Sequence, residues 1–152
     1  RASRWEQVTG WFSELWLERV APTRITYNTT ISACSRGRRW ELSLQVLGEM
    51  EADLLEPNMV TVSSVISGLE KNQKSAKAIH MLEACEKRRI KLDVIAYNSA
   101  LSACEKAQEW EHALQGLERM HANGLTPDEV SYNAIISAFE KRQQWDRALH
   151  VL

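Results

Sequence analysis

The chain has 152 residues, of which 44% are apolar and 26% charged, and its formal net charge is -1. That balance excludes a protein held to nucleic acid by bulk positive charge, and an acidic tail is equally absent. No run approaches the roughly 18 consecutive apolar residues of a membrane-spanning helix, so no membrane partner is expected.

Apolar residues recur at helical spacing along the chain, and the whole pattern repeats every 35 residues without insertion from Ile25 to Leu152. Residues 1–24 align with the back half of a repeat, Trp5, Phe12 and Pro22 falling in phase. They are read as a second helix whose partner precedes Arg1. Repeat one spans 25–59, repeat two 60–94, repeat three 95–129, and repeat four, 130–152, is cut inside its second helix. Tyr27, Tyr97 and Tyr132 share one phase of the first helix, and Ile31, Ile66, Leu101 and Ile136 another. Trp40, Ser75, Trp110 and Trp145 open the second helices, which carry Leu47, Leu82, Leu117 and Leu152. Pro22, Pro57 and Pro127 close the period, and Gly124 is expected to stop a second helix.

Such a pattern predicts an all-α solenoid of antiparallel helix hairpins, in which each hairpin buries its apolar face against its neighbours. The indoles, standing beside the turns, are expected to close the hairpins. Repeat two departs most from the others, with Val62, Ser75 and Leu92 at the tyrosine, tryptophan and proline phases. It is therefore expected to be the least well packed. Neither end shows the polar capping unit of a finished array. The chain is read as a piece of a longer one, with any targeting peptide outside it.

Cys34 and Cys104 share a phase with Leu69 and Phe139, which makes them small core residues, and Cys85 shares one with Met50 and Met120. No two cysteines have chelating spacing, so neither a metal site nor a disulfide framework is expected. His80 and His150 share a second-helix position, His112 and His121 lie nine residues apart without an obvious carboxylate partner, and all four read as helix-surface residues. No nucleophile with a base, no metal cluster and no Gly-rich phosphate loop stands out, so neither catalysis nor a cofactor is expected.

The motif PDxVxYN…ISACEKxxxWxxALxxLxxM, at a 35-residue period, resembles the pentatricopeptide repeat in its standard form, over essentially the whole chain. Tetratricopeptide repeats lack that period and open on a WxxLGxxY helix that is absent here. The resemblance implies a right-handed superhelix that binds single-stranded RNA, one base per repeat. First helices would line the concave face, and the RNA would run 5′ to 3′ along the chain. It also implies a mitochondrial or plastid setting, and in some members a nuclease or deaminase-like domain beyond the array.

Several positions take roles by that resemblance. Ile25, Val60, Ile95 and Val130 match the residue that clamps a base between adjacent repeats, although the same side chains suit a core at a helix start. Asn28, Ser63, Asn98 and Asn133 match the first specificity position. An amide both donates and accepts and reads a pyrimidine, whereas the shorter serine leaves room for a purine. Asn58, Asp93 and Asp128, after the proline phase, match the second specificity position, and each is also a good helix N-cap. Pairing them as the family does gives 5′-(C/U)-G-U-(pyrimidine)-3′. Arg36, Lys71, Lys106 and Lys141 match the cation directed at the RNA backbone, a place the helix dipole also favours. Glu70, Glu105 and Glu140 stand directly before three of them and are expected to mute them. The competing reading is a scaffold that holds a peptide in its concave face. Such a groove has no need of Asn or Ser at one place and Asn or Asp at the other.

Overall fold

The computed structural model describes Gly10 and residues 22–140. Seven helices are bounded among them: α1 (Arg24–Arg36), α2 (Trp40–Ala52), α3 (Met59–Lys71), α4 (Ser75–Lys87), α5 (Val94–Ala107), α6 (Trp110–Ala122) and α7 (Glu129–Glu140). No strand occurs among the described residues. The second helices open on Trp40, Ser75 and Trp110 as the period predicts, and the first helices open one residue earlier than predicted. Trp5, Phe12, Lys141, Trp145, His150 and Leu152, and most of the proposed orphan helix, lie outside the described residues.

Each turn is set by a left-handed residue at a fixed phase. Within hairpins this residue is Arg38, Gln73 or Gln108, at φ 58°, 55° and 58°. The next N–H then turns back to the helix, as when Glu109 N donates to Cys104 O at 3.0 Å. Between repeats the residue is Leu54, Arg89 or Gly124, at φ 59°, 57° and 72°. Only Gly124 adopts this conformation without a Cβ penalty, which is why its role was visible in the sequence.

The chain divides into two compact units, Arg1–Gly68 and Leu69–Leu152. In the first, Tyr27, Ile31 and Cys34 of α1 and Val46, Leu47 and Met50 of α2 are buried at three- and four-residue intervals, as are Val62, Val65 and Ile66 of α3. In the second, α5 packs against α4, α6 and α7, and α6 packs against α4 and α7. First helices thus lie beside first helices, and second beside second. Small residues permit the close approach: a Cβ on Gly116 would come within 2.8 Å of Leu101 Cδ2.

Polar groups inside these cores are partnered. Tyr27 Oη donates to Asp53 Oδ2 at 2.6 Å, and Tyr97 Oη donates to Glu86 Oε1 at 3.2 Å. Arg119 also pairs with Glu86 at 2.6 Å. The three cysteines are buried and free, and burial pushes the Cys85 thiol up to about 11 and that of Cys104 to about 12. Ile136 is only half-buried, whereas its neighbour Ile135 is fully buried.

One expectation is corrected and two gain detail. Trp110 reaches beyond its own hairpin. Its ring stacks on Phe139 of the next repeat, with centroids 5.5 Å apart and an interplanar angle of 28°. Standing where α5 and α7 run side by side, a ring of that size reaches across the repeat boundary. Ser75, in the same phase, is buried and donates its hydroxyl to the Glu109 carboxylate, a polar contact where Trp110 offers a ring. His112 has a carboxylate partner after all, with Nδ1 2.6 Å from Glu109 Oε2, one helical turn back.

Candidate nucleic-acid interface

Four branched aliphatic side chains stand second in the first helices, and all four face solvent. Ile25 is 77% exposed, Val60 54%, Ile95 71% and Val130 58%. Burial in the core, the other explanation for these residues, does not hold. Leaving large apolar groups in water at one phase of every repeat costs hydrophobic free energy and yields no packing.

Beside them stand the polar positions, tied into two clusters built alike. In the first unit, Asn58 precedes α3 and accepts the Thr61 N–H on Oδ1 at 3.0 Å, the bond of a helix N-cap. The Asn58 N–H returns to Thr61 Oγ1 at 3.2 Å. That hydroxyl, fully buried, donates to Asn28 Oδ1 at 2.6 Å. In the second unit, Asp128 precedes α7 and accepts the Ser131 N–H on Oδ1 at 2.9 Å. The buried Ser131 hydroxyl takes the Asp128 N–H at 3.2 Å and donates to Asn98 Oδ1 at 2.5 Å. Asn98 Nδ2 then donates to the Asp128 carboxylate, at 3.0 Å and 3.2 Å from its two oxygens. The Ser131 backbone N–H and the Asn98 amide hold the Asp128 carboxyl below the usual carboxylate range, so it is an acceptor at neutral pH.

The expected pairs Asn28–Asn58 and Asn98–Asp128 are therefore brought together, each within one repeat and bridged by a hydroxyl from the next. The other predicted residues stand as follows. Asp93 caps α5 through the Ala96 N–H at 2.9 Å, Ser63 is half-buried on α3, and Asn133 is exposed on α7. Thr61 and Ser131 were not singled out from the sequence. The signal was available, since Thr26, Thr61 and Ser131 share the phase three residues after the cap.

The cations are unequal. Arg36 and Lys71 end α1 and α3 and are exposed. Lys106 is held by Glu70 at 2.8 Å. The carboxylate paired with it is thus one repeat back, while Glu105, its neighbour in sequence, accepts from Ser137 at 3.0 Å. Glu70 also accepts from Ser102 at 3.2 Å, which fixes it beneath the lysine. Lys141 lies outside the described residues.

Comparison with known proteins points one way. A pentatricopeptide repeat domain model matches residues 80–142, and a PPR repeat family model matches residues 22–71. Together they span well over half of the chain. The pentatricopeptide repeat protein PPR10, solved in complex with an 18-nt psaJ RNA element, is 33% identical with a TM-score of 0.74 over 94% of this chain and 21% of its own. The PPR domain of Arabidopsis thaliana protein-only RNase P 1, in complex with tRNA, is 15% identical with a TM-score of 0.82, over 96% of this chain and 77% of its own. Nuclear proteinaceous RNase P 2 from A. thaliana is 16% identical with a TM-score of 0.85, over 98% of this chain and 34% of its own. At such identity the last two speak for the fold alone. This chain spans about a fifth of the PPR10 chain, at 21%. No curated protein matches it by sequence.

Proposed function

The chain belongs to the pentatricopeptide repeat family, and from that premise we propose that it binds single-stranded RNA by sequence, one base to a repeat, without catalysis of its own. The observation that carries the reading is the exposure of Ile25, Val60, Ile95 and Val130 beside the paired Asn28–Asn58 and Asn98–Asp128. Apolar side chains in water beside polar edges suit a flat base, which offers an apolar face and a hydrogen-bonding rim.

Repeat by repeat, Asn28 with Asn58 selects cytosine over uracil, Ser63 with Asp93 guanine, and Asn98 with Asp128 uracil. Asn133 contributes a pyrimidine preference. The preferred strand is 5′-(C/U)-G-U-(pyrimidine)-3′, and an organelle, mitochondrion or plastid, is the setting that the family implies. Selection of RNA from a random single-stranded pool tests the reading. Enrichment of that tetranucleotide supports it, and recovery of unrelated sequences, or of none, refutes it.

A further inference from the structure

We infer that Thr61 and Ser131 are positioning residues for base recognition, whose buried hydroxyls fix which atoms of the neighbouring asparagines face the RNA. The inference rests on the RNA-binding reading and adds to it the polarity of each reading edge. A side-chain amide is ambiguous by itself, because a half-turn exchanges its donor and acceptor. Here the exchange is blocked. Asn98 Nδ2 donates to a carboxylate, which only accepts, so Oδ1 must face the other way, and there the Ser131 hydroxyl donates to it. Asn58 caps a backbone N–H, so its Oδ1 must face the helix. Thr61 Oγ1 takes the Asn58 N–H and has two acceptors for its own proton, Asn28 Oδ1 at 2.6 Å and Asn58 Oδ1, already taken by the cap bond, at 3.0 Å; the nearer, Asn28, receives it.

Two different edges result. At Asn28–Asn58 both carbonyl oxygens are turned inward, and the two Nδ2 groups remain as donors. Two adjacent donors match the O2 and N3 acceptors of cytosine and oppose the N3–H of uracil. At Asn98–Asp128 one amide proton serves the carboxylate and the other points outward, next to a carboxylate oxygen with lone pairs to spare. A donor beside an acceptor matches a uracil carbonyl and its N3–H, and sets a negative oxygen against the N3 lone pair of cytosine. The sequence agrees at the third site. The hydroxyl phase holds Thr61 one repeat after Asn28 and Ser131 one repeat after Asn98, but Ala96 one repeat after Ser63, which has no amide to orient.

Ser131→Ala isolates the effect, since Asp128 keeps its cap bond to the backbone N–H of residue 131. Fluorescence anisotropy of labelled 5′-AACGUUAA-3′, and of versions with cytosine at the third or uracil at the first core base, reads the discrimination at each site. The wild-type chain should favour uracil at the third base by about two- to tenfold, the range of one net hydrogen bond. Ser131→Ala should bring that ratio to near one with the first-base ratio unchanged, and Ser131→Thr should restore it. Thr61→Val should do the converse at the first base, with rescue by Thr61→Ser. A third-base ratio that survives Ser131→Ala overturns the inference and leaves RNA reading intact. So does an equal loss at every base in both Ser131 variants, the mark of a merely structural role. A wild-type chain without base preference overturns the reading itself, and the inference with it.

Discussion

The inequality of the cations has a measurable consequence in the salt dependence of binding. Lys71 is exposed and stands in none of the ion pairs among the described residues. Lys106 sits 2.8 Å from Glu70, with the lysine side chain 43% and the glutamate 20% exposed. A cation that reaches a phosphate releases a counterion and adds about 0.7 to the slope of log K against log salt on a single strand. Between 50 and 200 mM salt, that is a change of about 2.6-fold in affinity per contact. Lys71→Ala should therefore flatten the slope by about 0.7. Lys106→Ala should leave it almost unchanged, because the pair it breaks carries no net charge and is worth about 0–1 kcal/mol. Glu70→Gln keeps the acceptor for Ser102 while it frees the lysine, and should steepen the slope by about 0.7 and tighten binding at low salt. Anisotropy titrations of one RNA at four salt concentrations decide the matter. Equal flattening by Lys71→Ala and Lys106→Ala, or no response to Glu70→Gln, would refute the pairing argument.

Further outcomes follow from other features. Leu54 is 90% exposed at φ 59°, so Leu54→Gly should relieve left-handed strain at no packing cost and raise stability by about 0.5–1 kcal/mol, read from the urea midpoint. Trp110→Ala removes the stack on Phe139 and should cost about 3 kcal/mol in the same assay; a loss under 1 kcal/mol would deny the ring its role between repeats. Hydrogen exchange should find repeat two opening at lower free energy than repeat three, because Ser75 offers a hydroxyl where Trp110 offers a ring; equal protection would contradict this. Asp128→Asn retains the cap and exchanges an outward acceptor for a donor, so the third base should change from uracil toward cytosine alone; a uniform loss for every RNA would reduce the residue to a cap. Its lowered carboxyl pKa means that its contribution is full above the unfolded value of about 3.9 and is lost as pH falls through the folded one. A uracil preference that fades between pH 7 and 5 would exclude Asp128 as the acceptor.

The period made the helices legible, since three second helices begin where the phase of Trp40, Ser75 and Trp110 puts them. Residues that share a phase share an environment, and this is what a repeat discloses. It does not disclose which phases meet across a repeat boundary. Hence the Trp110–Phe139 stack, the Lys106–Glu70 pair and the Ser131–Asn98 bond were hidden, each joining phases of consecutive repeats. Apolar spacing alone left Ile95 open between core and surface, since it fits a helical stripe with Tyr97 and Leu101, and it faces water. A stripe records periodicity alone, and the first turn of a helix can continue it past the edge of the core.

The caps bear on why such an array can change its target without changing its fold. An N-cap needs one side-chain oxygen turned to the helix, and Asp and Asn supply it about equally well. Asp93 and Asp128 do so through a carboxylate oxygen, and Asn58 through a carbonyl. Once that oxygen is committed, the remaining atom of the group is left facing outward, an acceptor in aspartate and a donor in asparagine. Capping therefore does not compete with base reading as an explanation of these residues. It fixes the orientation that makes the outward atom certain. Exchange between the two residues is nearly neutral for the helix but inverts the hydrogen-bond demand that the proposed reading places on the base. On the proposed reading, stability thus constrains the class of residue, and RNA sequence selects within it.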